Sequence, residues 1–257
     1  MKAILFCGLA AAAAASPALA DNYAQQLLRA ETLRHPQVAT LAIHATPPKA
    51  QSSALIATAK GTSGSAGAAY ELPLQDVSGD VIGMLSVTLA PGAPATLAET
   101  IRNELKRQVI NVANLMDAVP YVPQFPSSPY AQMLVDDAMR RHPDLLVLAM
   151  HVANDGGDDY PIIASNIGRI GKPADSDDRH VISTQQPKMG AYGANLTRFG
   201  VELPMYDQGG RLLGALALGF PYRQGDDQQA LLARAQTIEA ELRQRIPSQA
   251  RLHDAAN

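Results

Sequence analysis

The sequence predicts an α+β chain built from two copies of one unit, each a helix-flanked antiparallel sheet. Three observations predict it. The chain repeats itself, each copy carries short apolar strand-like runs between helix-period segments, and each copy places an Asp/Gly turn between two such runs.

The repeat is read directly from the residues. Tyr23-Ala-Gln recurs as Tyr130-Ala-Gln, an offset of 107, and ten of the twenty-two positions from 23 to 44 are identical to their counterparts without a gap. Arg34-His35-Pro36 falls on Arg141-His142-Pro143, and Ile56-Ala57 and Gly61 fall on Ile163-Ala164 and Gly168. The offset then rises to 131. Glu71-Leu72-Pro73 matches Glu202-Leu203-Pro204, and Asp76, Gly79, Gly83 and Leu85 match Asp207, Gly210, Gly214 and Leu216. The second copy therefore holds 24 extra residues between Gly168 and Glu202.

Each copy opens on a helix. Tyr130, Leu134 and Ala138 share one face, and His142-Pro143 stops the helix because a residue before proline avoids the helical region. A buried strand follows at 145–150, matched by 38–43, and a second runs over 161–165. Residues 201–206 and 211–218 form a hairpin around Asp207-Gln-Gly-Gly210, which the first copy writes as Asp76-Val-Ser-Gly79. A closing helix carries Leu231, Ala235, Ile238 and Leu242 on one stripe; residues 96–116 are its counterpart. Between the copies, residues 118–129 hold Pro120, Pro123, Pro126 and Pro129, a density that excludes helix.

These signals divide the chain into a leader at 1–20, a first unit at 21–117, the Pro-rich linker at 118–129, a second unit at 130–247 and a tail at 248–257. In the leader, Lys2 precedes an apolar run too short to span a membrane, and Ala18-Leu19-Ala20 fits a cleavage site. The expected location is the periplasm, with no membrane insertion after cleavage. Cys7, the sole cysteine, lies in the leader, so the mature chain would have neither a disulfide nor a thiolate. A formal charge of −3, no basic run and no tryptophan argue against nucleic acid and against a broad stacking platform.

The order of elements, the segment Ala164-Ser-Asn-Ile-Gly-Arg-Ile-Gly-Lys172 and the pattern from Leu203 to Gly214 resemble the Cache and PAS-like extracellular sensor fold, twice over the mature chain. The resemblance implies a curved antiparallel sheet with a small-molecule pocket on one face, walled by the segment after the second strand. Such sensors usually sit between membrane helices, and none follows the leader here.

The 24-residue insertion is the sharpest functional signal, because long loops inside compact units are uncommon and often functional. Folded over the sheet, Arg169, Lys172 and Arg179 could hold a carboxylate or phosphate by charge-assisted hydrogen bonds. Asn166, Tyr192, Arg198 and His151 complete the expected ligand-binding set. Charges pairing with one another on a solvated loop are the competing reading. The first copy writes an uncharged stretch at 62–69, so the ligand site is expected in the second unit.

His44 and His151 end equivalent strands, and His35 and His142 stop equivalent helices. No zinc-type spacing or C-x-x-C-H accompanies them, so no metal or other cofactor is expected. The Asp-rich runs at 155–159 and 175–178 lack EF-hand spacing and read as polar turns. Neither a nucleotide fingerprint nor a hydrolase motif is present, and no catalytic residue is nominated. The sequence reading is therefore a binding or sensing protein, not an enzyme, for a small polar or anionic ligand. A membrane-bound protein would be the partner that reads its state. The alternative is an envelope scaffold without a small-molecule ligand.

Overall fold

A computed structural model gives the fold and describes residues 21–256 apart from Pro123, Asp155, Gly156, Asp158 and Ala194. The expected leader with Cys7 and part of the 155–159 run lie outside the described residues. No helix among the described residues is long and apolar enough to cross a membrane.

The first unit runs α1 (Tyr23–Arg34), β1 (Val38–Ala45), β2 (Ala54–Lys60), β3 (Ala69–Gln75), β4 (Val81–Leu89), α2 (Thr96–Lys106) and a single turn, α3 (Val112–Leu115). The second runs α4 (Pro129–Arg141), β5 (Val147–Val152), β6 (Ile162–Ser165), α5 (Ser176–Thr184), β7 (Lys188–Tyr192), β8 (Arg198–Tyr206), β9 (Leu212–Pro221) and α6 (Gln228–Arg243). The two sheets have the orders β2-β1-β4-β3 and β6-β5-β9-β8-β7, and all their pairings are antiparallel. Without β7 the two orders coincide. The insertion supplies the difference between the sheets, the extra edge strand β7, together with α5.

Alternation along the strands gives each sheet one core face. In the first unit Leu41, Ile43, Leu85 and Val87 meet Leu28 of α1 and Ile101 and Leu105 of α2. In the second, Leu148, Met150, Leu216, Leu218 and Phe199 meet Leu134 and Ala138 of α4 and Ile238 and Leu242 of α6. Leu252, in a short 3-10 helix at Ala250–His253, is fully buried in this second core, so the stretch after 247 packs with the unit before it.

Repeated residues do the same job twice. Gln25 bonds both backbone groups of Thr58 on the edge strand, at 2.6 and 3.2 Å. Gln132 does the same to Ser165, at 3.2 and 3.1 Å. The Tyr23 hydroxyl donates to the Gln108 carbonyl and that of Tyr130 to the Arg245 carbonyl. Asp76 and Asp207 accept backbone N–H groups across their turns, and Gly79 and Gly210 take the positive φ, +94° and +81°, that such turns require. His35 meets Glu104 at 2.7 Å and His142 meets Glu241 at 3.0 Å, tying each opening helix to its closing helix.

The units meet along a seam. Val77 and Ile110 of the first pack on Val147 and Ile167 of the second. Asn114 donates to the Ile167 carbonyl at 3.0 Å, and Tyr121 N–H to the Ile170 carbonyl at 2.9 Å.

Candidate functional site

The insertion folds back over its own sheet, with α5 packed on β8 and β9. The N-terminus of α5 is capped. Asp175 accepts from the N–H groups of Asp177 and Asp178, and Asp178 accepts in return from the Asp175 N–H. The acidic run read as a polar turn is thus a helix cap. The sheet face opposite the core is floored by small residues, among them Ala149, Ala215, Ala217, Gly200 and Gly219.

Tyr192 explains two of them. A Cβ at Gly219 would lie 2.6 Å from the Tyr192 hydroxyl oxygen, and one at Gly200 would lie 3.4 Å from the ring. The ring lies across those glycines, and burial pushes its phenol up. The Arg198 guanidinium stands 5.2 Å from the ring centroid.

The expected ligand residues fall in three places. His151 is buried at the end of β5, its Nδ1 3.0 Å from the Tyr160 carbonyl and its Nε2 3.5 Å from Asp178. Burial holds the imidazole below its usual range, with Asp178 opposing, and burial raises Asp178, with His151 opposing. The charge of Lys172 acts on both groups, lowering each. Arg179, half-exposed on α5, donates to the Ala174 carbonyl and meets Asp159 at 3.4 Å.

The remaining three residues face the first unit. Asn166 donates to the carbonyls of Leu146 and Arg107. Arg169 pairs with Asp117 at 2.8 Å, while Tyr121 donates to the other oxygen of that carboxylate. Arg198 donates from Nη1 to the Ile110 carbonyl at 2.9 Å and stands 3.9 Å from Asp76. Asn166 and Arg169 are thus occupied with the seam.

Arg198 differs. Its side chain is only 7% exposed, yet its Nε has no hydrogen-bond partner. It lines a cleft of about 520 Å³ between the units, with Asp76, Asp80, Val81, Ile82 and Asn111 from the first unit and Gly193 and Asn195 from the second. That volume is in the range of small-molecule sites, roughly 300–1,000 Å³. Gly193, at φ +92°, lies against the Nε and Nη2 edge of the guanidinium; a Cβ there would lie 3.0 Å from both nitrogens. Burial pushes the Asp76 carboxyl up, and the Ser78 and Asp80 N–H groups and Arg198 oppose that.

Asp76, Asp80, Asn111 and Gly193, which line the cleft, carry no binding signal in the sequence. Asp76 was visible only as a turn residue repeated at Asp207, and nothing in the chain order signals that the first unit walls a site with the second.

No family model and no curated protein matches the chain. Among solved structures it is similar to the GAF domain of A. aeolicus nlh2 in an inactive state, at 13% identity over 44% of this chain and 79% of that one, with a TM-score of 0.34. It is also similar to the C-terminal domain of the E. coli transcriptional regulator KdgR, at 12% identity over 46% and 99% of the two chains and a TM-score of 0.33. PelD from residue 158 onward, of Pseudomonas aeruginosa PAO1, is similar over 90% of this chain and 83% of its own, at 13% identity and a TM-score of 0.24. Likenesses this loose carry no function across.

Proposed function

We propose that this chain is an exported binding or sensing module that captures a small polar ligand in the cleft between its two units, with an anionic group of the ligand on Arg198. One observation carries the reading: a buried guanidinium lines the cleft with its Nε unpaired. A buried donor without a partner costs about 1–3 kcal/mol, more when charged, so such a group calls for an acceptor. The Nε and Nη2 edge of an arginine matches a carboxylate or phosphate, two oxygens on two N–H groups. Asp80 and the two asparagines would take donors on the same ligand. No catalytic group is needed. Release into the periplasm and readout by a membrane-bound partner belong to the same proposal.

A second reading, an envelope scaffold, is favoured by the employment of Asn166 and Arg169 in the seam. Thermal-shift screening against small carboxylates, organophosphates and amines separates the two. Ligand at 100 Kd adds about 2.7 kcal/mol and moves the melting point visibly. Val81 is 64% exposed and lines the cleft, so Val81→Trp fills the site without disturbing either core. The binding reading expects shifts in the parent that this variant loses. No hits at all favour the scaffold, and hits that persist in the variant put the ligand outside the cleft.

A further inference from the structure

The end of α1 carries a cluster of side chains of which one, Glu31, is not required by the fold. His35 Nε2 lies 2.7 Å from Glu104 Oε2 and 3.5 Å from Glu31 Oε2, and one ligand atom from each of the three residues lies within 4.8 Å of the others. Glu31 lies in the last turn of α1, His35 is that helix's C-cap, and Glu104 arrives from α2. The Glu31 side chain is fully buried, yet its Oε2 has no hydrogen-bond partner. Its other oxygen takes Arg34 at 2.6 Å.

The second unit shows what the fold alone needs. There His142 meets Glu241 and Arg141 pairs with the same carboxylate, reproducing His35, Glu104 and Arg34. At the position matching Glu31 stands Ala138, fully buried. One copy closes its helix end with a methyl group, and the other places a second carboxylate there, one oxygen of which makes no hydrogen bond and stands 3.5 Å from His35 Nε2. Two carboxylates gathered on one imidazole disfavour each other's charge unless a further positive charge joins them.

We propose that Glu31, His35 and Glu104 bind one divalent first-row cation of the Zn²⁺ type. One imidazole nitrogen and two carboxylate oxygens are a zinc donor set, and three protein ligands leave a fourth position for water. Around Zn²⁺ at about 2.0–2.1 Å, tetrahedral neighbours stand about 3.4 Å apart, close to the His35–Glu31 spacing of 3.5 Å. The shorter His35–Glu104 hydrogen bond opens when the cation replaces its proton. Arg34 stays on the outer oxygen of Glu31 and orients it, as a partner behind a metal ligand does. Its second contact, to Glu104 at 3.5 Å, is the longer one and is given up as the cation enters.

The test uses the full chain stripped with EDTA. Zn²⁺ is titrated by calorimetry and counted by native mass spectrometry, and Co²⁺ is added to read the absorption of a tetrahedral site. The expected result is one equivalent bound. Glu31→Ala copies the second unit and is expected to fold, with a melting point in EDTA no lower than the parent's, and to lose at least 100-fold in Zn²⁺ affinity. His142→Ala, in the second unit, is expected to keep the parent's affinity. Should Glu31→Ala fail to fold, Glu31→Gln, nearly isosteric, is expected to show the same loss. No equivalent bound by the parent overturns the proposal, as does affinity unchanged in the Glu31 variants or lost in His142→Ala.

Discussion

Asn166 Nδ2 donates to the carbonyl of Arg107, 2.9 Å away in the other unit. The same side chain accepts from Leu148 N–H at 2.8 Å and donates to Leu146 at 3.0 Å. One residue thus pins the end of β6 to β5 and the second unit to the first. At the matching position of the first copy stands Ala59, which has no neighbouring unit to meet. Asn166→Ala is expected to cost about 2 kcal/mol, since three backbone groups lose their partner. Urea unfolding followed by far-UV circular dichroism measures it. A change below about 0.5 kcal/mol, the size of a surface substitution, would show that the contact contributes little.

Gly168 is the second seam residue with a clear expectation. Its φ is +67°, and a Cβ there would stand 2.5 Å from the Tyr23 ring. Gly168→Ala combines left-handed backbone strain with a displaced aromatic ring and is expected to cost about 2–3 kcal/mol. Thermal melts of the variant and of Gly64→Ala, whose Cβ would meet nothing within 4 Å, separate the ring contact from backbone strain, because both sites have positive φ.

Glu202 gives a pH dependence. It faces Lys188 across the β7–β8 pair, with an Oε2 that is buried and unpartnered. Burial first, then the charges of Asp178, Asp175 and Asp177, push its carboxyl up to about 7, with Lys188 opposing. The folded chain therefore holds a proton that the unfolded chain releases near pH 4.3. Stability from this group is fully present below that value and is lost as pH rises through about 7. Glu202→Gln keeps the neutral form throughout. It is expected to match the parent at pH 4 and to exceed it at pH 8 by about 1–2 kcal/mol, after discounting for solvent screening. Melts across that range decide it, and equal differences at the two ends would contradict the assignment.

The duplicated glutamines give a matched pair. Gln25→Ala and Gln132→Ala each strip two bonds from an edge strand, and each is expected to cost about 1–2 kcal/mol. Hydrogen exchange at the Thr58 and Ser165 amides reads the loss locally. Each variant is expected to speed exchange at its own strand and leave the other protected.

These pairs also show what the residues disclose before any coordinates. Tyr23 and Tyr130, Gln25 and Gln132, and Asp76 and Asp207 recur because each makes a backbone contact that the fold reuses, so identity at a fixed offset reported the architecture. The break in offset reported the insertion, but its acidic run at 175–178, read as a polar turn, is a helix cap. The destinations of Asn166, Arg169 and Arg198 were not readable. A polar side chain that meets a ligand and one that meets another unit of the same chain have the same composition and the same spacing. The carbonyls of Arg107 and Ile110, to which Asn166 and Arg198 donate, carry no side-chain signature at all. The cleft draws on both copies, and a repeat describes each copy alone.

The cleft itself is tested most directly at the atom on which it depends. The Nε–H of an arginine gives its own signal in ¹H–¹⁵N spectra, and Arg198→Lys identifies which signal belongs to Arg198. Titrated with a carboxylate or phosphate compound that raises the melting point, the parent should show that resonance moving to saturation in step with binding, as an acceptor reaches the unpaired N–H. A compound that stabilises the protein while that resonance stays in place would mean the ligand sits elsewhere.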